Sequence, residues 1–530
     1  MTDTADLLAE IAQLRALLAG SEARAARLDA HGLRKDERIQ RLEKLVAAFR
    51  QALFGRRSEK SDPDQYDLAL EDIEAAMATV HAEDEDDSAG YEVNGSAARR
   101  KARAANRGAL PAHLPRIDEV IEPHGMICAW GGHLHCIREH DRARLDVVPA
   151  QFGVIVTHRP KYACRACTDG VVQAPAAPHL VPGGLPTEAL VAHVLVSKYA
   201  DHLPLYRQAQ IYSRDGVDLD RSTLADWVGR AAFELRPVYE ALLAALKRST
   251  KLFMDETRAP VLDPGARKVR NGYFWALARD ERPWSGTAPP GVAFTYAPGR
   301  GGQYAEQILA GFSGILQVDG YAGYNRLIAQ EGSGARPHQN IQLAYCWAHA
   351  RRKLVEITRT GAAPIAEEGV RRIGELYRIE VDIRSLSAEA RLAARQQRSA
   401  PLVTGIHEWL VQNRARVSAK SPLGEALKYI ARYWDGLRLF LTDGRIELDN
   451  NTVERTIRPI ALNRKNALFA GHDAGAENWA VIASLIETCK LNGVDPHAWL
   501  AATLHAIVTG HRQSLINELL PWNYPASLGD

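Results

Sequence analysis

Two apolar runs in this 530-residue chain each stop on an aspartate. Leu252, Phe253 and Met254 lead to Asp255; Ile315, Leu316 and Val318 lead to Asp319, which opens a glycine-rich turn through Gly320 and Gly323. Capping a following helix is the ordinary use of such an acid. A strand end in a packed sheet, however, also holds a side chain rigidly enough to ligate a metal. If the two strands are neighbours, the carboxylates lie a few ångströms apart, and like charges that close require a cation between them. All-oxygen ligation suits Mg2+ or Mn2+, and such ions serve phosphoryl transfer.

A third acid is expected on a helix beyond the last strand. In "IELDNNTVERTIRPIALNRKNALFAG" (446–471), Asn450 or Asn451 caps a helix on which Glu454 and Arg458 share a face at i, i+4. With Asn451 as N-cap, Glu454 stands where a capping-box acid would. From the residues alone, Glu447, Glu477 and Glu487 stay open as alternatives.

These acids need a sheet to hold them. "TKLFMDETRAPVL" (250–262), "GYFWALAR" (272–279) and "GVAFTYAPG" (291–299) read as three successive strands, antiparallel because their connections are short. A helix (301–312), a strand ending at Asp319 and a fifth strand running into the basic helix of "IQLAYCWAHARRKLVEI" (341–357) follow. The order β-β-β-α-β-α-β-α is that of a ribonuclease-H-like fold, in which the first and fourth strands are neighbours. The chain is therefore expected to be a multidomain α+β protein built on a ribonuclease-H-like mixed β-sheet.

The remaining segments are divided by composition. Residues 1–60 carry an apolar heptad stripe, from Leu7, Ile11, Leu14 and Leu18 to Val46, Phe49 and Leu53, and read as a self-associating coiled coil. Residues 61–118 form a charged linker, acidic at 82–87 and basic at 99–107, with the composition of a disordered segment. A Cys/His-rich module spans 119–180. A helical region, 181–248, contains "LYRQAQIYSRDGVDLDRSTLADWVGRA" (205–231), a helix-turn-helix-like pattern turning at Gly216, its second helix opened by Ser222 beside Arg221. The core occupies 249–360 and 444–515, a helical insertion 361–443, and a tail 516–530.

A net charge of +2 does not point to nucleic acid by itself, but local basic clusters at 351–353 and 455–465 can bind phosphates. Arg351, Arg352, Arg455, Arg458, Arg464 and Lys465 are the expected DNA contacts, with Arg221 on the helical region. No apolar run is long enough for a membrane helix, and the N-terminus reads as an acidic helix rather than a signal peptide, so a cytoplasmic protein is expected. Six cysteines in this length do not form a disulfide scaffold. Cys346 and His349 read as structural groups rather than ligands.

The stretches "FMDETRAPVLDPG", "ILQVDGYAGYNRL", "CWAHARRKL", "DNNTVERTIRPIALNRKNALFAG" and "SLIETCKLNGVDP" resemble those of insertion sequence 66 family transposases. So do "LFGRRSEK", "RPKYACRAC" and "PTEALVAHVLVSKYADHLPLYRQ", in the same order over nearly the whole chain. The resemblance implies a DDE transposase with a leucine-zipper-like N-terminus, a zinc module and an acidic triad of Asp255, Asp319 and Glu454 holding Mg2+ or Mn2+. It implies DNA cleavage and strand transfer at insertion-sequence ends in bacterial cytoplasm, associated with the nucleoid. Partners would be end and target DNA, a second copy or more of the chain, and accessory proteins of the same element. The cysteine module departs from the family pattern: Cys164 and Cys167 are intact, but upstream, beside Cys128, Ile127 and Trp130 stand where sulfurs are expected, leaving Cys136, His133 and His135 to substitute around Zn2+. Two alternatives carry the same fold: a DNA-binding accessory or regulator without catalysis, and a ribonuclease-H-like nuclease or resolvase.

Overall fold

The computed structural model describes residues 151–163, 171–263, 268–328, 340–359, 361–467 and 470–525. The coiled coil, the linker and Cys128, Cys136, Cys164 and Cys167 lie outside the described residues. Of the 119–180 module, the described part contains an antiparallel hairpin, β1 (Lys161–Ala163) and β2 (Val171–Gln173).

Three helices follow: α1 (Glu188–Tyr199), α2 (Leu205–Arg214) and α3 (Arg221–Lys247). The turn between α2 and α3 uses Gly216 at φ +80°, a left-handed conformation suited to glycine. The cap of α3 is Asp220, whose carboxylate accepts the Ser222 amide, so the helix begins one residue before the Ser222 start read from sequence. Its Leu224, Trp227, Val228, Ala231, Leu235, Val238 and Leu242 recur at helical spacing and are buried. This helix-turn-helix-like pair is thus anchored in the core, with Arg221 and Ser222 exposed at the first turn of α3.

The sheet contains β3 (Lys251–Asp263), β4 (Lys268–Arg279), β5 (Gly291–Ala297), β6 (Gly314–Val318) and β7 (Ile341–Tyr345). Its order is β5-β4-β3-β6-β7. Short links leave β3, β4 and β5 antiparallel, whereas helix α4 (Gly302–Ile308) carries the chain over the sheet so that β6 runs parallel to β3. Leu252, Met254, Phe274, Trp275, Leu277, Phe294, Leu316 and Val318 are all buried, the unbroken apolar pattern of strands covered on both faces. Strand β5 is an edge, and its Val292 and Phe294 amides donate to Thr488 Oγ1 (3.2 Å) and Ser484 Oγ (2.7 Å) of a later helix, which covers this part of the edge.

Helix α5 (Trp347–Thr358) leads into the insertion, α6 (Pro364–Asp382), α7 (Ala388–Ala394), a π-helical turn (Arg395–Ser399), α8 (Ala400–Arg416), α9 (Pro422–Arg432) and α10 (Trp434–Leu437). Ile373, Leu376, Trp409, Leu427 and Phe440 build its own core, which Trp347 joins, donating Nε1–H to the Leu437 carbonyl. A buried ion cluster braces it: Arg395 donates to both oxygens of Glu380 at 2.8 and 2.7 Å, and Arg391 donates to Glu380 Oε2 at 3.0 Å. Both arginines are nearly inaccessible to solvent. Removing their shared partner leaves buried Arg395 without a counter-ion and Arg391 with Glu447 alone, so Glu380→Ala is expected to cost about 3–5 kcal/mol in urea unfolding. Removing the exposed Arg398–Asp382 pair through Arg398→Ala should cost less than about 1 kcal/mol.

The chain returns to the sheet through α11 (Asn451–Ala467), α12 (Asp473–Leu491) and α13 (Pro496–Val508). Residues 513–523, read from 516 onward as a tail, instead form two 3₁₀ turns packed on the body. Leu520 is buried and the Leu519 carbonyl accepts the Trp499 indole N–H, which is how an apolar terminus avoids water.

Candidate active site

The register of the sheet fixes where the two aspartates meet. Lys251, Leu252 and Phe253 lie opposite Ile315, Leu316 and Gln317 in the parallel β3–β6 pair. Two residues further along each chain, Asp255, within β3, stands level with Asp319, just past the end of β6, on adjacent strands whose axes run about 5 Å apart. Asp319 is the first residue after β6; its Oδ1 accepts the Tyr321 amide at 2.8 Å, closing a turn in which Gly320 adopts φ +97°. One carboxylate oxygen of Asp319 therefore serves the local turn while the other has no hydrogen bond among the described residues.

Asp255 is held high: burial first, and then Asp319, Glu256 and Glu454, push its carboxyl up to about 8. Glu256, next in sequence, has a fully buried side chain. Its Oε1 accepts Arg300 Nε–H at 2.6 Å and its Oε2 accepts the Tyr324 hydroxyl at 2.8 Å. That acid is paired with a guanidinium, which separates it from Asp255 in role.

Helix α11 is delivered to this end of the sheet by buried polar contacts. Gln317, fully buried on β6, donates to the carbonyls of Glu447 and Asp449 at 2.7 Å each. Asn450 donates from Nδ2 to the Met254 carbonyl at 3.2 Å, one residue before Asp255, and from its backbone to Cys346 Sγ at 3.3 Å. Beyond α11 the chain returns to β3 through a bridge between Ala470 and Val261.

This geometry separates the two roles open to Glu454. The helix begins at Asn451, so Asn450 stands at the N-cap and the capping-box position falls on Val453 rather than Glu454. The Asn450 amide is taken by Cys346 Sγ and the Asn451 amide by Asp449 Oδ1, leaving neither for Glu454. The Glu454 carboxylate instead lies 3.9 Å from His349 Nε2 and acts electrostatically on Asp255. His349 is held below its ordinary range by burial, against the pull of Asp319 and Glu454. The rival acids are engaged elsewhere: Glu447 with Arg391 at 2.8 Å, Glu477 with Arg236 at 3.9 Å and Glu487 with Lys490 at 2.9 Å.

Among the described residues, no group of three or more His, Cys, Asp or Glu side chains is arranged to hold a metal ion by itself. The donor chemistry nevertheless fits magnesium or manganese, which bind through one or two carboxylates and complete their shell with water and substrate phosphate. A cation would also relieve the repulsion that raises Asp255.

The basic residues expected to contact DNA divide into groups. Arg352 lines a cleft of about 300 Å³ together with Asp319, Tyr321, His349, Lys353 and Tyr429. Arg351 is exposed on the same helix. Arg455 opens instead into a second cleft of about 220 Å³ shared with Arg279, Arg282, Glu487 and Lys490, and Arg458 is exposed. Arg464 is committed to β3, donating to Thr257 Oγ1 at 3.1 Å and to the Arg258 carbonyl. Lys465 is half-buried near the end of α11, and Arg221 belongs to the separate α2–α3 turn. Sequence reasoning missed Arg300, Tyr324, Tyr429 and Tyr433. Only the Asp-Glu doublet at 255–256 hinted at a second buried acid and so at a cation to match it.

Known proteins share these segments. Residues 183–478 match the family described as "Transposase IS66 family". Residues 41–118 match "Transposase C of IS166 homeodomain", 127–168 the "zinc-finger binding domain of transposase IS66", and 484–522 the "IS66 C-terminal element". Among curated relatives, the uncharacterized Sinorhizobium fredii protein y4jD is 45% identical over 489 residues, covering 91% of this chain and 94% of the relative. The uncharacterized y4qI of the same organism is 43% identical over 526 residues, covering 98% and 96%.

Proposed function

We infer the reaction from one premise: the chain belongs to the IS66 family of transposases. We propose that it cuts DNA at the ends of an insertion sequence and joins those ends to a target by metal-dependent phosphoryl transfer. What supports the reading is the register that sets Asp255 level with Asp319 on adjacent strands, with Glu454 acting electrostatically on Asp255 from helix α11. The strand order β5-β4-β3-β6-β7, antiparallel on one side of β3 and parallel on the other, supports reading the core as ribonuclease-H-like.

Asp255, Asp319 and Glu454 would hold Mg2+ or Mn2+, which when bound supplies charge neutralisation at the phosphate and activation of the attacking hydroxyl. The chain's own residues do the rest. Arg352 and Lys353, on the rim of the Asp319 cleft, bind the phosphodiester backbone and set its register. His349, which lines the Asp319 cleft 3.9 Å from the Glu454 carboxylate, would orient that carboxylate through a bridging water. Arg300 keeps Glu256 paired, so the buried negative charge left uncompensated is that of Asp255 and its two partners. We assign DNA-end recognition to the segments before residue 249 and self-association to residues 1–60. Zinc held by Cys128, Cys136, Cys164 and Cys167 would be structural, and one equivalent per chain, lost in a Cys164→Ser, Cys167→Ser variant, is the expected elemental analysis.

The test is incubation of the purified chain with its own element's ends, a supercoiled target and Mg2+. Covalently joined end–target products are expected. End binding without cleavage would favour the regulator, and cleavage without joining would favour a nuclease or resolvase.

A further inference from the structure

We propose that the helical insertion is part of the catalytic apparatus, and that Tyr429 and Tyr433 are positioning residues that fix the direction of the Asp319 carboxylate. The inference rests on the assignment of Asp319 as a metal-holding acid. Tyr429, on α9, donates its hydroxyl hydrogen to the carbonyl of Asp319 at 2.8 Å, from 110 residues away. Tyr433, just after α9, donates to the carbonyl of Gly320 at 2.6 Å. Two consecutive peptide groups of the turn carrying Asp319 are thus held from the insertion. The same turn is held from within by the Tyr321 amide on Asp319 Oδ1. With both peptide planes and one carboxylate oxygen fixed, the remaining oxygen has little freedom of direction.

The clamp is itself braced. The two rings meet edge to face at 4.8 Å, and Tyr433 packs on Tyr345 at the end of β7 with centroids 4.5 Å apart. Lys353 of α5 lies over the Tyr429 ring at 4.8 Å. Gly320 completes the fit: a Cβ there would stand 2.7 Å from the Tyr429 hydroxyl, and its φ of +97° excludes most side chains anyway. Packing of the insertion on the sheet would need the rings alone. A packing role asks only that each hydroxyl find some partner, whereas here both partners are carbonyls of the one turn that carries Asp319.

Tyr429→Phe and Tyr433→Phe keep the rings and delete the two hydrogen bonds. Loss of an orienting partner around a metal ligand commonly costs 10–100-fold in metal affinity or activity. In the full chain, each variant should raise the Mn2+ concentration giving half of the metal-induced rise in melting temperature by about tenfold. Melting temperature in EDTA should fall by no more than the loss of one hydrogen bond explains, affinity for end DNA should stay at wild-type values, and Lys428→Ala, an exposed neighbour on the same helix, should behave as wild type. End cleavage in Mg2+ should fall by about 10–100-fold, with partial recovery at high Mn2+. If both Phe variants match wild type in metal response and cleavage, or lose melting temperature in EDTA with the metal midpoint unmoved, the clamp is only packing and the inference is wrong. A wild-type chain that shows no Mn2+ response would instead defeat the assignment of Asp319 on which the inference rests.

Discussion

Asp255→Asn is expected to lower end cleavage by about three orders of magnitude or more, equivalent to about 4 kcal/mol of barrier, while making the metal-free protein more stable. Both effects come from one carboxylate. Burial, Asp319, Glu256 and Glu454 together push Asp255 up to about 8, far above its unfolded value of 3.8. The folded chain therefore binds more protons than the unfolded chain between about pH 4 and 8. Over that window the contribution of Asp255 to stability falls as pH rises, and it is flat above. Asparagine removes the charge without removing the shape, and about 1–3 kcal/mol should be recovered at neutral pH after allowing for relaxation. Urea unfolding in EDTA at pH 5, 7 and 8.5 should show a wild-type slope that the variant lacks. Added Mn2+ should stabilise the wild type and leave the variant unmoved. A variant that is destabilised in EDTA would mean that the acids do not repel one another as the geometry requires.

Glu454→Gln should lower cleavage by at least about two orders of magnitude with unfolding free energy changed by less than about 0.5 kcal/mol. Glutamine preserves length and hydrogen bonding but not charge, so a helix-capping acid would tolerate it. The Asn450 and Asn451 amides are already satisfied by Cys346 and Asp449, which leaves charge as the property Glu454 contributes. Glu477→Gln should leave both activity and stability near wild type, because its partner Arg236 is 3.9 Å away and both are largely exposed. Glu447→Gln should cost stability, since it removes a charge from buried Arg391. Near-normal cleavage by Glu454→Gln would remove it from the site and leave two acids there.

How much of this was legible in the sequence follows from the range of the interactions. The strands could be read because their apolar runs are long and uninterrupted, and the neighbourhood of Asp255 and Asp319 followed from strand order. Helix starts are fixed less sharply by sequence: Ser222 resembles a cap that Asp220 in fact supplies, and of Asn450 and Asn451 it is Asn450 that stands at the cap, because adjacent Asp, Ser and Asn residues compete for the same amides. The commitment of Arg464 to the backbone of β3 was invisible, since nothing local distinguishes it from exposed Arg458. Nor could any periodicity connect Tyr429 to Asp319 across 110 residues, or Glu380 to Arg391 and Arg395 across a helical turn-back. Such pairs are set by how the insertion docks, which a pattern within one segment does not encode.

The central claim, that Asp255, Asp319 and Glu454 hold the ions of the reaction, is tested most directly by anomalous scattering from crystals of the chain with its end DNA and Mn2+. One or two peaks are expected within about 2.0–2.6 Å of oxygens from Asp255 and Asp319, with Glu454 on the same ions or their water shell. Peaks coordinated by other side chains, with these three carboxylates turned away from metal and phosphate, would contradict it.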